Sequence, residues 1–222
     1  MLLDILFNCY ITAMNLNAII LAAGKGSRLG NQPKSLIKIK GITLLENLID
    51  NLKKAGITSI LIVTGYEANC LETLCHRLNV KTVHNPHYEN GNHQESLEIG
   101  LRFNKQVSKS DGTIILLADQ PLLDSALITK LITYYESLKM SKDVIYPVNN
   151  KARGNPTIVS HNFLEIALEE TPFDLKKFIK QHSKRVVELS SNEAGYFLDI
   201  DTESDIQYLY DNYGIKLELP IK

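Results

Sequence analysis

The chain has 222 residues, of which 44% are hydrophobic, and its 24 lysine and arginine residues are balanced by 25 aspartate and glutamate residues, giving a formal net charge of −1. This balance lacks the basic excess of a nucleic-acid-binding domain, and no apolar run approaches the roughly 20 residues of a transmembrane helix. Three cysteines without a CxxC pair argue against a disulfide framework or a zinc ribbon, so we expect a reduced, cytoplasmic protein.

The chain begins with an apolar stretch that is separate from the elements that follow. We interpret residues 1–14 as an N-terminal extension whose place in the native protein the sequence leaves open, and residues 15–222 as a single domain. Three short, continuously apolar runs then occur at 17–23, 58–64 and 113–118. Such runs are typical of strands that are buried on both faces of a parallel sheet.

Amphipathic stretches between and after these runs predict helices. In residues 43–55 leucine and isoleucine recur at helical spacing, and Thr43 and Glu46 have the spacing of a capping box. The same kind of spacing predicts helices over 95–104 and 125–138. Strands that alternate with helices imply a parallel sheet joined by right-handed crossovers.

The pattern becomes less regular in the last third of the chain. We predict strands at 143–148, 156–160, 185–190 and 196–200, two short helices, and a last helix that begins near residue 203. No linker, repeat or low-complexity segment interrupts the chain. The predicted fold class is therefore α/β, with three αβα layers and a Rossmann-like, mostly parallel sheet.

A glycine-rich, positively charged loop follows the first predicted strand directly. Backbone amides of such a loop can approach an anion at the strand ends, where ligands bind in open α/β sheets. The spacing matches neither GxxxxGK[ST] nor GxGxxG, because Leu29 stands where the latter has its third glycine. Three cations on one loop suit a triphosphate better than a single pyrophosphate. The residues that carry this argument are Gly24, Lys25, Gly26, Arg28, Gly30 and Lys34.

Aspartates at two places in the sequence are candidates for a metal site. Asp119 directly follows the apolar run at 113–118 and is predicted at the same sheet edge as the glycine loop. A carboxylate beside a triphosphate requires an intervening cation, and Mg²⁺ commonly binds carboxylate and phosphate oxygens together. Asp199 and Asp201 have the period-two spacing that places side chains on one face of a strand, although the residues from Thr202 onward also have the pattern of a helix N-cap.

Several motifs resemble the MobA-like family of nucleotidyltransferases. LAAGKGSRLGNQPKSLIKIKG at 21–41 is similar to that family's signature, L-A-A-G-x-G-x-R, a hydrophobic residue and glycine, followed shortly by P-K. Further matching stretches follow in the family's order: NPHYENGNHQESLEIGL at 85–101, LLADQPLL at 116–123, RGNPTIVS at 153–160 and LDIDTESD at 198–205. The resemblance covers residues 17–212 and is strongest to the molybdenum cofactor cytidylyltransferase branch.

The resemblance implies a nucleotide-diphospho-sugar transferase fold and the Mg²⁺-dependent transfer of a nucleoside monophosphate from a triphosphate to a phosphate-bearing acceptor, with release of pyrophosphate. It implies that Arg28, Lys34 and Asp119 are catalytic, and that Asp119 and Asp201, with Asp199 as a further candidate, bind the metal. The implied nucleotide-binding residues are Leu21, Ala22, Ala23, Gly24, Gly26, Ser27, Lys34, Gly65, Ser96 and Asp119, and the implied acceptor-binding residues are Arg153, Gly154 and Asn155.

Smaller features bear on the identity of the two substrates. The alanine at position 23 resembles the motif of the cytidylyl branch, whereas guanylyl relatives tend to have glycine at this position. We therefore favour CTP as the nucleotide. The acceptor that the resemblance favours is molybdopterin, with a molybdoenzyme as a partner protein. That branch commonly has histidine in place of Asn155, and a G-D-x-G-A-R element where this chain has TPFDLKKFI at 171–179. Phosphocholine or a sugar phosphate therefore remains an alternative acceptor.

Two other classes of protein are alternatives. A nicotinamide-dependent oxidoreductase would need a third glycine at the position of Leu29 and an acidic contact to the ribose, for which the sequence offers Glu67. A non-catalytic nucleotide sensor, or an insertion chaperone for a molybdenum enzyme, would bind CTP but release no pyrophosphate. Turnover therefore separates the second alternative from an enzyme.

Overall fold

The computed structural model describes residues 14–90, 93–107, 109–138, 141–150 and 152–220, so the predicted extension lies outside the described residues except for Met14. In chain order the elements are β1 (Leu16–Leu21), β2 (Lys38–Ile39), β3 (Ile42–Thr43), α1 (Leu44–Lys54), β4 (Ile60–Thr64), α2 (Ala68–Arg77), β5 (Lys81–His84), α3 (His93–Val107), β6 (Gly112–Leu117), α4 (Ser125–Ser137), β7 (Val144–Asn149), β8 (Ala152–Arg153), β9 (Thr157–Ser160), α5 (His161–Ala167), α6 (Leu175–Gln181), β10 (Val186–Ser190), α7 (Glu203–Tyr213) and β11 (Leu217–Glu218). None of the helices within these ranges is long and apolar enough to cross a bilayer.

Eight of the described strands form one sheet in the order β10–β7–β9–β6–β1–β4–β5, with β8 paired to β7. β5, β4, β1 and β6 are parallel to one another, and β7 is parallel to β10. β9 runs antiparallel to both β6 and β7, so the sheet is mixed but mostly parallel, as predicted. Leu21 lies opposite both Val63 and Leu117, so the carboxyl ends of β1, β4 and β6 meet at one edge. β2, β3 and β11 form a separate small sheet.

Helices cover both faces of the central sheet, because alternate strand residues point to opposite faces. On one face Ala18 and Ile20 of β1 belong to a buried cluster with α1, α2 and α4, which contribute Leu45, Leu48, Leu71, Ile128 and Leu131. On the other face Ile19 belongs to a second cluster with α3, α5 and α6, which contribute Leu97, Leu101, Phe163 and Phe178. The predicted three-layer αβα fold is therefore confirmed.

The strand predicted at 196–200 is wrong. A 3-10 turn occupies Ala194–Tyr196, and the residues after it form no strand. Their backbone bonds instead anchor a loop, because the Leu198 amide donates to Ala194 O at 2.9 Å and the Ile200 amide donates to Asp119 O at 3.1 Å. The alternation in this stretch reflects a fully buried Ile200 between two aspartates.

Apart from the two-residue strands β2, β3, β8 and β11, the elements absent from the predictions above are α2 and β5. In α2 Leu71, Leu74 and Cys75 are buried at helical spacing, but the helix starts at Glu67 with a φ of 55° and without a side-chain cap bond. The usual N-terminal signal is therefore missing. β5 is an edge strand that begins with the exposed Lys81, so it lacks the continuous apolar run that marks the other parallel strands.

An ion pair joins the starts of β7 and of the edge strand β10. Asp143, next to the start of β7, accepts bonds from Arg185 Nε at 2.7 Å and from Ser160 Oγ at 2.6 Å. Burial disfavours the ionised carboxylate, but the bonds from Arg185 and Ser160 outweigh this effect and lower the pKa of Asp143 below its usual value. The pair therefore stabilises the fold while Asp143 is ionised.

We expect Asp143→Asn to lower the free energy of unfolding by about 1–2 kcal/mol at neutral pH, the scale of a charge-assisted hydrogen bond. Because the pKa is depressed in the folded state, this stabilisation is present above the unfolded-state pKa and is lost as pH falls through the folded-state pKa. Urea denaturation at neutral pH and at about pH 2 should show the difference between wild type and variant shrinking in acid. Asp50→Asn, which removes an exposed pair with Lys54, should have an effect below about 0.5 kcal/mol. A difference that persists in acid would contradict this role of Asp143.

Candidate functional site

The glycine loop leaves the carboxyl end of β1 in a tight turn that its own backbone stabilises. Gly26 has a φ of 62°, and the amides of Leu29 and Asn31 donate to its carbonyl oxygen at 2.9 and 3.1 Å. A Cβ at Gly26 would lie 2.0 Å from the carbonyl oxygen of Gln32. Because the left-handed backbone and the close approach both require glycine, Gly26 determines the path of the loop.

A second close approach joins this loop to the end of β4. A Cβ at Gly65 would lie 2.7 Å from the carbonyl oxygen of Ala23 and 2.6 Å from Cβ of Tyr88. The Tyr66 amide also donates to the Ala23 carbonyl oxygen at 3.2 Å. Gly65, a predicted nucleotide-binding residue, therefore lies behind Ala23 and supports the cleft wall without lining it.

A cleft of about 360 Å³ opens at the carboxyl ends of β1 and β6. It brings together most of the predicted site residues: Leu21, Ala22, Ala23, Gly24, Gly26, Ser27, Arg28, Lys34, Ser96, Asp119 and Asp201. The lining is completed by Lys25, Ser35, Tyr88, Glu89, His93, Leu117 and Ala118. The glycine loop and the first turns of α3 thus form two walls of the same cleft.

Lys34 connects the aspartate that follows β6 with the one that precedes α7. Its ammonium donates to Asp119 Oδ2 at 2.9 Å and to Asp201 Oδ1. Arg28 Nη1 donates to the other oxygen of Asp201 at 2.9 Å. The side chains of Lys34 and Asp119 are 18% and 17% exposed, whereas that of Arg28 is 74% exposed. The Lys34–Asp119 pair is therefore shielded from water, and the exposed Arg28 pair contributes little to stability.

The charges of this cluster shift one another's pKa values. Burial disfavours the charged form of Lys34, but the nearby Asp119 and Asp201 outweigh it and raise the pKa of Lys34 above its usual value. The bond from Lys34 lowers the pKa of Asp201. Burial, with the negative charges of Asp119 and Asp201, raises the pKa of Asp199. The ammonium of Lys34 therefore lies near three carboxyl groups, those of Asp119, Asp199 and Asp201, and their negative charges repel one another.

The same three carboxyl groups fit a divalent metal ion. One oxygen from each of Asp119, Asp199 and Asp201 lies within 4.8 Å of the others. Asp119 Oδ1 is buried and has no hydrogen-bond partner among the described residues. A buried acceptor without a partner is costly unless a further ligand completes it. Oxygen donors of this kind are preferred by hard cations such as Mg²⁺ and Mn²⁺.

The predicted acceptor residues lie on the neighbouring hairpin and outside this cleft. The amides of Gly154 and Asn155 donate to Pro147 O and Tyr196 O, each at 2.8 Å. A Cβ at Gly154 would lie 2.6 Å from Tyr196 O, so glycine is required there by close packing. The guanidinium of Arg153 stacks on the Tyr146 ring at 4.0 Å from its centroid. Of the three, Arg153 lines a second cavity, together with residues of β7, β10 and α6.

Comparison with known sequences identifies the family to which the chain belongs. A sequence model described as the MobA-like NTP transferase domain matches residues 18–186. The chain belongs to the MobA-like NTP transferase family. Among curated relatives, the bifunctional protein GlmU of Staphylococcus saprophyticus is 25% identical over 216 residues, which cover 93% of this chain and 41% of GlmU. The chain spans less than half the length of the GlmU proteins that it matches.

Solved structures share the fold of this MobA-like domain. The CTP:phosphocholine cytidylyltransferase LicC of Streptococcus pneumoniae is 21% identical, with 89% of this chain and 99% of LicC covered at a TM-score of 0.66. Rv0371c of Mycobacterium tuberculosis H37Rv, solved in complex with manganese, is 18% identical, with 89% of this chain and 99% of that chain covered at a TM-score of 0.65. At these identities the structural likeness establishes the fold alone.

Several residues of the cleft are not among the residues predicted for this MobA-like domain. Tyr88, Glu89 and His93 also line the cleft. The Tyr88 ring lies 6.3 Å from the Tyr66 ring, centroid to centroid, and Lys25 Nζ lies 6.0 Å from the Tyr66 centroid. The sequence does hold a signal for these residues, because they lie in the stretch at 85–101 that resembles the family. Within that stretch, however, only Ser96 is predicted to bind nucleotide.

Proposed function

We propose that the protein is a nucleotidyltransferase that transfers CMP from CTP to a phosphate-bearing acceptor and releases pyrophosphate, with Mg²⁺ as the metal. The observation that carries the proposal is the presence, in one cleft, of an anion-binding glycine loop and of Lys34 among Asp119 and Asp201. Membership of the MobA-like NTP transferase family supports it. A glycine loop alone would not support a specific function, because such loops bind many kinds of anion.

In the reaction, an oxygen of the acceptor phosphate attacks the α-phosphorus of CTP, and the bond from that phosphorus to the bridging oxygen breaks. We assign the backbone amides of Gly24 to Ser27, together with Arg28, to the departing β and γ phosphates, and Lys34 to the α phosphate. Mg²⁺ held by Asp119, Asp201 and Asp199 would neutralise charge on the phosphate oxygens. The chain therefore acts by aligning the two reacting oxygens and by preorganising positive charge.

The preference for CTP rests on the wall formed by Ala23. Ala23 lines the cleft, its methyl group and carbonyl oxygen pack against Gly65, and that oxygen accepts from the Tyr66 amide at 3.2 Å. The wall is thus fixed from behind and cannot easily retreat to admit a purine. LicC, a structural neighbour, is itself named as a CTP-dependent enzyme, which agrees with this preference.

For the acceptor we propose molybdopterin first, which would make a molybdoenzyme the partner of the product. Phosphocholine or a sugar phosphate is the second candidate, and the likeness to a phosphocholine cytidylyltransferase favours it. The segment at 171–179 departs from the molybdenum branch in sequence. In this segment Asp174 caps α6 by accepting from the Lys177 amide at 2.9 Å. A nucleotide-binding chaperone without turnover is the alternative of another class.

The test is a calorimetric titration with CTP, GTP, UTP, ATP and NAD, each with and without Mg²⁺, followed by a pyrophosphate-release assay. The assay supplies CTP with molybdopterin, phosphocholine or sugar 1-phosphates in turn. Metal-dependent binding of CTP together with pyrophosphate release from one acceptor supports the proposal. CTP binding without pyrophosphate release from any of them supports the chaperone, and binding of NAD alone or of no nucleotide refutes the transferase assignment.

We expect Gly26→Ala to weaken CTP binding by at least about tenfold, because the new Cβ must displace the loop from the carbonyl oxygen of Gln32. Gly41→Ala is the matched control, since Gly41 also has a positive φ, of 79°, but has no atom within 4 Å of its Cβ position and lies outside the cleft. It should lower the melting temperature without changing CTP affinity. Equal CTP affinities in wild type and Gly26→Ala would show that the loop does not bind the triphosphate.

A further inference from the structure

A second cavity of about 560 Å³ lies between the neighbouring strands β7 and β10 and the helix α6. Its polar lining consists of Tyr146, Arg153, Lys176, Lys180, Ser183 and Glu188, and Ile179 and Val186 supply its apolar surface. Lys176 and Lys180 are four residues apart on α6 and so lie on the same side of the helix. The cavity therefore has three cationic side chains and one carboxylate.

The three cations of this cavity lack carboxylate partners. Within the part of the chain that the structure describes, Arg153, Lys176 and Lys180 form no ion pair. Glu188, the single acid of the cavity, accepts instead from the Tyr146 hydroxyl at 3.3 Å. Like charges four residues apart on a helix repel each other. An excess of unpaired positive charge in a concave site favours an anionic ligand.

The second cavity lies beside the nucleotide cleft. Arg153 pairs with Val148 at the carboxyl end of β7, and its guanidinium donates to Thr157 Oγ1 at 3.0 Å. Thr157 in turn lies opposite Ile115 of β6, the strand that leads to Asp119. The guanidinium of Arg153 thus reaches from the β7–β8 hairpin towards β6, the strand that precedes Asp119.

Helix α6 is also tied to the wall of the nucleotide cleft. The Leu175 amide at the start of α6 donates to Gln94 Oε1 at 2.9 Å. Gln94 lies in the first turn of α3, between His93 and Ser96, which both line the cleft. The position of the α6 lysines relative to the cleft is therefore fixed by a direct bond.

We infer that this cavity binds a second anionic group of the acceptor, a phosphate or a carboxylate that is separate from the phosphate that reacts. The inference rests on the proposed function, and it narrows the acceptor to a molecule with at least two anionic groups. It counts against molybdopterin and simple sugar 1-phosphates, whose single phosphate is the one that reacts, and favours a sugar phosphate that carries a further phosphate or a carboxylate. Phosphocholine fits poorly, because its quaternary ammonium would meet Arg153, Lys176 and Lys180. The face of the Tyr146 ring, which could otherwise attract such a cation, is already covered by Arg153.

Inorganic phosphate is the probe for the test, titrated into the CTP-saturated protein with residue-resolved NMR as the readout. We expect saturable shifts of the amides of Arg153 and of 175–181, and roughly tenfold weaker binding in Lys176→Gln/Lys180→Gln, because neutral amides replace two charged donors. Both lysines are exposed, so the variant should fold. Lys53→Gln/Lys54→Gln, at the end of α1, is the matched control and should bind phosphate like wild type.

Three results would overturn the inference. They are the absence of saturable shifts at α6, equal phosphate affinity in wild type and Lys176→Gln/Lys180→Gln, and shifts of Tyr146 and Glu188 on titration with choline chloride. In the pyrophosphate-release assay, run with a sugar phosphate that carries a second phosphate or a carboxylate, the same variant should raise the acceptor KM at least fivefold and leave the CTP KM unchanged, and an unchanged acceptor KM would also refute the assignment. Failure of CTP to bind, with phosphate still bound at α6 of the free protein, would instead refute the proposed function.

Discussion

Asp119→Asn is expected to lower the turnover of nucleotidyl transfer by ~10²-fold or more, the scale observed when a preorganised charge stabiliser is removed. The amide keeps the size of the side chain but removes its negative charge. That charge orients the ammonium of Lys34 through Oδ2, and Oδ1 is the buried oxygen that is left for a metal. Both functions are lost in one substitution, because an amide is a poor metal ligand and a weaker acceptor.

The same substitution should leave the fold intact. Asp119 lies with Asp199 and Asp201 in a group whose carboxylate oxygens are within 4.8 Å of one another, so neutralising one of them relieves repulsion. We therefore expect the melting temperature of Asp119→Asn in the absence of divalent cations to equal or exceed that of wild type. Loss of activity with an unchanged or higher melting temperature separates a role in chemistry from a role in folding.

Asp111→Asn is the matched control for this prediction. Asp111 immediately precedes β6, at the opposite end of the strand from Asp119, and accepts from the Asn15 amide at 2.8 Å. Its substitution should leave turnover within about twofold of wild type, since surface changes far from a site have small effects. An Asp119→Asn variant that kept both its turnover and the wild-type dependence on divalent cation would exclude Asp119 from the metal site.

The part of the cleft formed by the glycine loop and Asp119 is predictable from sequence because its determinants are local. The glycines and cations of the loop lie within 24–34, and Asp119 directly follows an apolar strand. Parallel strands bring such residues to one edge whatever the details of the rest of the fold. Asp201 is found in the cleft as well, although the strand predicted for its segment is wrong. The period-two argument named Asp199 and Asp201 from a strand that is not there, so the position of Asp201 in the cleft does not follow from it.

The second cavity could not be predicted in the same way. Lys176 and Lys180, read alone, are two exposed lysines on a short helix, and such residues are common on solvated surfaces. Their proximity to Arg153 depends on how α6 packs on β7 and β10, which no local pattern encodes. Sequence reasoning therefore predicted an acceptor side at 153–155 but had no means of finding the charged residues of the second cavity.

Lys34→Met is expected to reduce turnover by a similar ~10²-fold, because the role that we propose for the lysine is that of a point charge on the α phosphate, which water replaces poorly. Methionine fills much of the same volume, so the effect is one of charge. Lys38→Met, four residues along on the exposed strand β2, is the control and should behave like wild type. Steady-state kinetics with CTP varied distinguish two roles: a fall in kcat indicates an interaction made in the transition state, and a rise in KM alone would indicate uniform binding.

The structure also predicts that Lys34→Met, which should lower turnover, will strengthen the binding of a divalent metal ion. Without nucleotide, the Lys34 ammonium is bonded to both Asp119 and Asp201, so it competes with a divalent cation for those carboxylates. Lys34→Met should therefore bind Mn²⁺ more tightly than wild type in the absence of CTP, measured by calorimetry, while it loses activity. Weaker Mn²⁺ binding by the variant would mean that Lys34 does not compete for this site. Tighter binding with lost turnover would show that the ammonium neutralises the carboxylates in the free protein and is needed at the phosphate during the reaction.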